Sequence, residues 1–151
     1  MSLGIRIGFD LDGVICDISV ITLRMIDQIE DKEKKLMLEK WYYKERVPLL
    51  NPNLIMTNND EAFVITARPS YLATITKQWM RKYYPGIPVI ILGCKSAPKS
   101  DLRCWWKNIV DEKVKAIKEL GINLYIDDCP QIVNELRRKG INCLQYGGLL
   151  Q

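Results

Sequence analysis

Histidine is absent from all 151 residues. That excludes every mechanism built on a histidine base, nucleophile or metal ligand, including Ser-His-Asp triads and zincin-type zinc sites. Any catalysis here runs on carboxylates, lysine, hydroxyls or a hard metal ion. Paired cysteines are also missing. The five present, Cys16, Cys94, Cys104, Cys129 and Cys143, form no Cys-x-x-Cys pair, and their odd number fits a disulfide framework badly. They read as buried free thiols of a reducing compartment. The most apolar run, near Ile87 to Leu92, falls far short of a membrane span. Asp10 and Asp12 arrive before any apolar stretch suited to a signal peptide. The expectation is a cytoplasmic protein with no membrane partner. An excess of one charge is lacking as well: 22 Lys+Arg against 18 Asp+Glu leave +4, too mild to name a polyanionic partner.

What is present is an ordinary globular balance, 48% hydrophobic and 26% charged, in a length suited to one domain. Five short apolar runs stand out: Ile5–Phe9, Ala62–Ile65, Val89–Leu92, Leu124–Ile126 and Ile141–Leu144. Each is rich in Val, Ile or aromatics and bounded by turn formers, which reads as a buried strand. Helical patterns separate them. Leu72, Ile75, Trp79 and Tyr83 mark one face of a helix over Tyr71–Tyr84, stopped by Pro85-Gly86. Asp111 is placed to cap a helix from Glu112 to Leu120, and Pro130 to open one through Lys139. Strand and helix in alternation predict parallel β-α-β units and a doubly wound α/β fold.

The irregular region lies between Gly13 and Asp60. It holds an amphipathic pattern from about Ser19 to Met37 and then the aromatic cluster Trp41-Tyr42-Tyr43. Arg24 to Arg46 carries seven basic and six acidic residues, which reads as a solvated helical face. Such an insertion lies over the carboxyl ends of the strands, where open α/β sheets bind ligands. The aromatic cluster is either the insertion's own small core or supplies a ring that stacks on a nucleobase. Trp105 and Trp106 read as core or as an oligomer contact. Lys77 to Lys118 holds ten basic residues against three acidic, read as solvated faces, or as steering for a phosphorylated ligand or a nucleic acid end.

The strand ends carry the chemistry. Asp10 and Asp12 follow the first strand, Thr66 ends the second, and Asp127-Asp128 follow the fourth, with Lys113 near the start of the preceding helix. In a parallel sheet these positions converge on one edge. Four carboxylates gathered there repel one another, and a cation offsets the repulsion. An all-oxygen donor set without His or Cys points to Mg²⁺, and the hydroxyl and lysine suit phosphoryl oxygens. Taken singly, Asp10 and Asp12 read equally as turn residues, and Thr66 as a hydroxyl bonded to its own backbone.

The ordered set resembles the haloacid dehalogenase-like (HAD) superfamily of phosphohydrolases. Phe9-Asp10-Leu11-Asp12-Gly13-Val14 is similar to its Asp-x-Asp-Gly motif, Ile65-Thr66-Ala67-Arg68 to its threonine motif, and Leu124-Tyr125-Ile126-Asp127-Asp128 to its strand ending in paired acids. The resemblance spans residues 4 to 146. Pro69 after the threonine motif, together with Lys118-Glu119-Leu120-Gly121-Ile122, resembles the 5′-nucleotidase and deoxyribonucleotidase branch, with Cys129 a mild departure. It implies a Rossmann-like three-layer fold, a mainly parallel five-stranded sheet in the order 5-4-1-2-3, and one domain (residues 1–151) with a small helical cap insertion at about 17–58.

The resemblance also implies roles. Asp10 is the nucleophile that forms an aspartyl-phosphate, and Asp12 the acid and base. Asp10, the main-chain carbonyl of Asp12, and Asp127 or Asp128 hold Mg²⁺. Thr66, Ala67 and a lysine hold the transferring group. That lysine is Lys113, Lys115 or Lys107, and Arg68 is either a surface charge or meets the phosphate. The implied activity is Mg²⁺-dependent hydrolysis of a small phosphorylated metabolite, a nucleoside monophosphate foremost, with nucleic acid not the expected partner and homo-oligomers compatible. The alternatives are a polynucleotide end phosphatase and a receiver-like phosphoacceptor signalling domain. Receivers place the paired acids first and the lysine last, the reverse of the order here. A catalytically dead binding module is disfavoured because every expected acid is in place.

Overall fold

Strands buried on both faces need apolar residues on both, and the five apolar runs meet that demand. In the computed structural model, which describes residues 3–94 and 105–147, they form β1 (Arg6–Phe9), β2 (Glu61–Thr66), β3 (Val89–Ile91), β4 (Leu124–Asp127) and β5 (Cys143–Gln145). All pairs are parallel, in the order β3-β2-β1-β4-β5. This is the expected 5-4-1-2-3 arrangement read from the opposite edge. β1 is central, with Phe9 registered against Val64 on one side and Ile126 on the other. That register sets the residues just beyond β1, β2 and β4 beside one another.

Two layers of core flank the sheet. Ile7, Phe9, Val64, Trp79, Met80 and Tyr84 pack on one face with the turn residues Leu11, Val14 and Ile15. Ile65, Tyr125, Val110, Ile117, Ile132 and Leu136 pack on the other. The helices that supply them are α3 (Ala73–Tyr83), α4 (Trp105–Glu119) and α5 (Pro130–Arg138). Along α3 the buried residues are Thr76, Trp79 and Met80. Trp106 joins the second core, in keeping with the core reading of that position. Among the described residues, no helix is long and apolar enough to cross a membrane, and Cys16, Cys94, Cys129 and Cys143 are free thiols.

Three boundaries differ from expectation. Asp111 caps nothing: it lies inside α4, which already runs from Trp105, and pairs with Lys139 at 3.6 Å. The apolar face that begins at Trp106 and continues through Ile109, Val110 and Ile117 carries the helix past it. The pattern from Ser19 to Met37 is two helices, α1 (Val20–Asp27) and α2 (Lys32–Lys44). Ser19 caps the first by accepting from Thr22 N, and Asp31 caps the second by accepting from Lys34 N, so a capping residue interrupts the periodicity. β5 begins at Cys143 rather than Ile141, because Ile141 N donates to Leu136 O and closes α5.

The chain enters and leaves the α1-α2 segment side by side. Asp17 N donates to Val47 O at 2.9 Å, Leu49 N to Ile15 O at 2.8 Å and Leu50 N to Val14 O at 3.0 Å. Arg46 pairs with Asp17 at 3.3 Å, and Trp79 Nε1 of α3 donates to Arg46 O at 2.8 Å. These bonds tie the base of the segment to the sheet domain.

Candidate active site

Asp10 follows β1 directly, and its N–H donates to Ile126 O at 2.8 Å. Asp127 closes β4 with no exposed surface. Between them stands Lys113, whose Nζ is 3.2 Å from Asp10 Oδ1 and 2.6 Å from Asp127 Oδ2. The Tyr125 ring lies below the ammonium, 5.4 Å away at its centroid. The second oxygen of Asp127 accepts from Cys129 N at 3.0 Å. A lysine 1% exposed is tolerable only with such partners. Lys107 and Lys115, the other candidates, are both exposed. Because α4 starts at Trp105, Lys113 sits about two turns into it, so the helix's N-terminal amides do not accompany it.

The charges respond to this crowding. Burial, then the neighbouring Asp127 carboxylate, pushes the Asp10 carboxyl well above its ordinary range, with Lys113 pulling the other way. Burial and Asp127 likewise raise Asp128. Burial would strip Lys113 of its proton, but Asp10, Tyr125 and Asp127 outweigh it and hold the ammonium well above the usual lysine value. One cation is shared by more acids than it can neutralise.

Asp12 faces the other side of the site. Arg68 grips it with two hydrogen bonds, Nε to Oδ2 at 3.0 Å and Nη2 to Oδ1 at 2.6 Å. The Cys16 thiol donates to Asp12 Oδ1 at 3.3 Å. Arg68 is 4% exposed, so the surface-charge reading fails. Its fork donates to Asp12 at the cavity. Thr66 is buried, and its hydroxyl accepts from Arg68 N at 3.2 Å, the local backbone bond considered for it from sequence. Gly13 follows Asp12 with φ +83°, the left-handed region that favours glycine, and a Cβ there would land on the Asp128 carboxylate. The tight turn therefore draws Asp128 in over the motif.

Asp10, Asp12, Thr66, Ala67, Arg68, Lys113, Asp127 and Asp128 all line one cavity of about 560 Å³. Ile18, Val20, Tyr43, Pro69, Ile109 and Ile132 line it too. Of the aromatic cluster, Trp41 is exposed, Tyr42 is buried in the insertion's base, and Tyr43 reaches the cavity.

The donor set suits a hard divalent cation. One oxygen each from Asp10, Asp127 and Asp128 lie within 4.8 Å of one another. Opposite ligands of a Mg²⁺ stand about 4 Å apart, so the three carboxylates match its coordination shell with little adjustment. Four acids against Arg68 and Lys113 leave two negative charges unmatched, the charge such an ion supplies.

No protein-family model and no curated protein matches the sequence. Solved structures do match. One is a HAD-superfamily hydrolase, subfamily IA, variant 1, from Geobacter sulfurreducens PCA: 11% identity, TM-score 0.55, covering 94% of this chain and 86% of that one. Two others are chains from structures of the Pnkp1/Rnl/Hen1 RNA repair complex. They show 16% and 17% identity and TM-scores of 0.51 and 0.52, over 95% and 96% of this chain. This chain has their fold. It spans 42% and 46% of the two RNA-repair chains, less than half of either.

Sequence reasoning did not single out Cys16, Thr76 or Tyr125 for the site. Tyr125 was legible in part, because it stands two residues before Asp127 on β4 and so shares its face. Cys16 and Thr76 meet Arg68 only through the fold, 52 and 8 residues away in the chain.

Proposed function

We propose that the protein is a Mg²⁺-dependent phosphomonoesterase whose nucleophile is Asp10. The observation that carries the reading is the gathering of Asp10, Asp127, Asp128 and the buried Lys113 at one strand edge, with Asp12 two residues beyond the nucleophile. Asp10 Oδ attacks phosphorus while the bond from phosphorus to the leaving oxygen breaks, giving an aspartyl-phosphate. Asp12 donates the proton that the leaving oxygen takes up, then accepts one from the water that attacks the intermediate as the bond from phosphorus to Asp10 Oδ breaks, releasing inorganic phosphate and the free Asp10 carboxylate. Asp10, the carbonyl of Asp12, Asp127 and Asp128 would hold the Mg²⁺, which would offset charge developing on the phosphoryl oxygens. Lys113, the Thr66 hydroxyl and the main chain of Ala67 hold the transferring group, each lying on the same cavity.

The substrate we favour is a nucleoside monophosphate. The lining residues Ile18, Val20, Tyr43, Pro69, Ile109 and Ile132 suit a flat, uncharged ring, with Tyr43 the aromatic among them that would stack on it. In this reading residues 17–58 are a small cap over a single HAD-like domain, and α2 carries Tyr43 to the site. A second reading, a polynucleotide end phosphatase, is supported by the likeness to two chains of an RNA repair complex. Phosphate release from a panel of mononucleotides, sugar phosphates and 3′-phosphorylated oligonucleotides separates the two. The first reading expects mononucleotides to be preferred, with activity lost in EDTA, restored by Mg²⁺, and absent in Asp10→Asn. Full activity in excess chelator, or in Asp10→Asn, overturns it.

A further inference from the structure

We infer that Arg68 is a positioning residue that fixes the carboxylate of Asp12 and does not bind the substrate phosphate. The inference rests on the phosphatase reading above, in which Asp12 moves protons. Two parallel N–H bonds from one guanidinium fix the plane of a carboxylate as well as its distance, and Arg68 makes that fork on Asp12 at 3.0 and 2.6 Å.

The guanidinium is itself held from several sides. Nη1 donates to Thr76 Oγ1 of α3 at 3.0 Å, and that hydroxyl is anchored by donating to Leu72 O at 2.8 Å. Nη2 also faces Cys16 Sγ at 3.5 Å. The Tyr43 ring of α2 covers the guanidinium plane, its centroid 4.3 Å from Cζ. Four of the five N–H groups of Arg68 therefore have protein acceptors, and the face is closed by an aromatic ring. A phosphate could take more than the one remaining N–H only by breaking the fork.

The consequence for the reaction is geometric. Among the described residues, the carboxylate of Asp12 is held apart from Arg68 only by the long Cys16 contact at 3.3 Å, and its side chain is 19% exposed. Without the fork it is free to turn away from the leaving oxygen, and a misplacement of about 1 Å costs on the order of 100-fold in rate. Arg68 and Tyr43 also join three separate pieces of chain, the motif turn, the end of β2 and the α1-α2 segment, around one proton-transfer group.

Steady-state kinetics on p-nitrophenyl phosphate with Mg²⁺ test this. Arg68→Lys keeps the charge and most of the volume but loses the fork. We expect its kcat to fall about 10- to 100-fold while KM and inhibition by inorganic phosphate stay within about threefold of wild type. In Arg68→Ala, added guanidinium chloride raises kcat, whereas equal sodium chloride or urea does not. If Arg68→Ala does not fold, Arg68→Lys decides alone. Wild-type kcat in Arg68→Lys overturns the inference. So does a loss expressed in KM and phosphate affinity, the signature of a phosphate-binding arginine. An active wild type with a dead Asp10→Asn and an unimpaired Arg68→Lys sinks the inference alone. A wild type that hydrolyses no phosphomonoester sinks the phosphatase reading and the inference with it.

Discussion

Replacing Lys113 with methionine tests the charge balance of the site without requiring turnover. Methionine keeps a similar length of apolar stem and removes only the ammonium. Asp10 Oδ1 and Asp127 Oδ2 then lose a partner that stood at 3.2 and 2.6 Å. Asp127, with no exposed surface, keeps a single donor among the described residues, Cys129 N at 3.0 Å. Removing one member of a buried ion pair costs about 3–5 kcal/mol, because the remaining charge stays out of water uncompensated. At about 2–4 °C per kcal/mol for a chain of this length, Lys113→Met melts roughly 10 °C below wild type in metal-free buffer. The double variant Lys113→Met/Asp127→Asn removes both charges and is expected to be more stable than the single one, with a coupling of about 1–3 kcal/mol. Thermal melts followed by circular dichroism read both effects. A single variant that melts with wild type, or a double variant whose losses simply add, would refute the reasoning.

Two further substitutions test the turn and the sheet's entry. Gly13→Ala places a Cβ on the Asp128 carboxylate at φ +83°, so we expect a loss of about 1–2 kcal/mol and a Mg²⁺ requirement raised about tenfold, read by urea titration and by activity against Mg²⁺ concentration. Asp60 accepts from Ile5 N, Thr57 N and the Thr57 hydroxyl; the bonds from the Ile5 and Thr57 main-chain N–H groups hold its carboxyl below the ordinary 3.8. A lowered folded value makes its stabilisation complete above pH 3.8 and lost as pH falls through that lower value. Asp60→Asn therefore flattens the acid limb of the urea midpoint against pH; an unchanged limb would contradict this.

The sheet was legible in the sequence because parallel strands buried on both faces leave short unbroken apolar runs, as at Val64-Ile65 and Tyr125-Ile126. The acids were legible because each stands directly after such a run, and the parallel topology places them together. Lys113 could not be told from Lys107 or Lys115 by spacing. The choice depends on which side of α4 faces the sheet, and that depends on where α4 begins. The burial of Arg68 was hidden for a related reason: its partner Asp12 is 56 residues away, brought beside it by the β1-β2 register. The break between α1 and α2 is a competition between periodicity and the Asp31 cap, and the cap prevails because no residue of α1 is buried to hold one continuous helix in place.

The claim on which the account turns is that Asp10 carries the phosphoryl group. Mass spectrometry of the protein, acid-quenched during turnover of p-nitrophenyl phosphate with Mg²⁺, tests it most directly. The account predicts one added phosphoryl group on the peptide containing Asp10, more of it in Asp12→Asn, where hydrolysis of the intermediate lacks its base, and none in Asp10→Asn. Turnover with the label on another residue, or undiminished in Asp10→Asn, would contradict it.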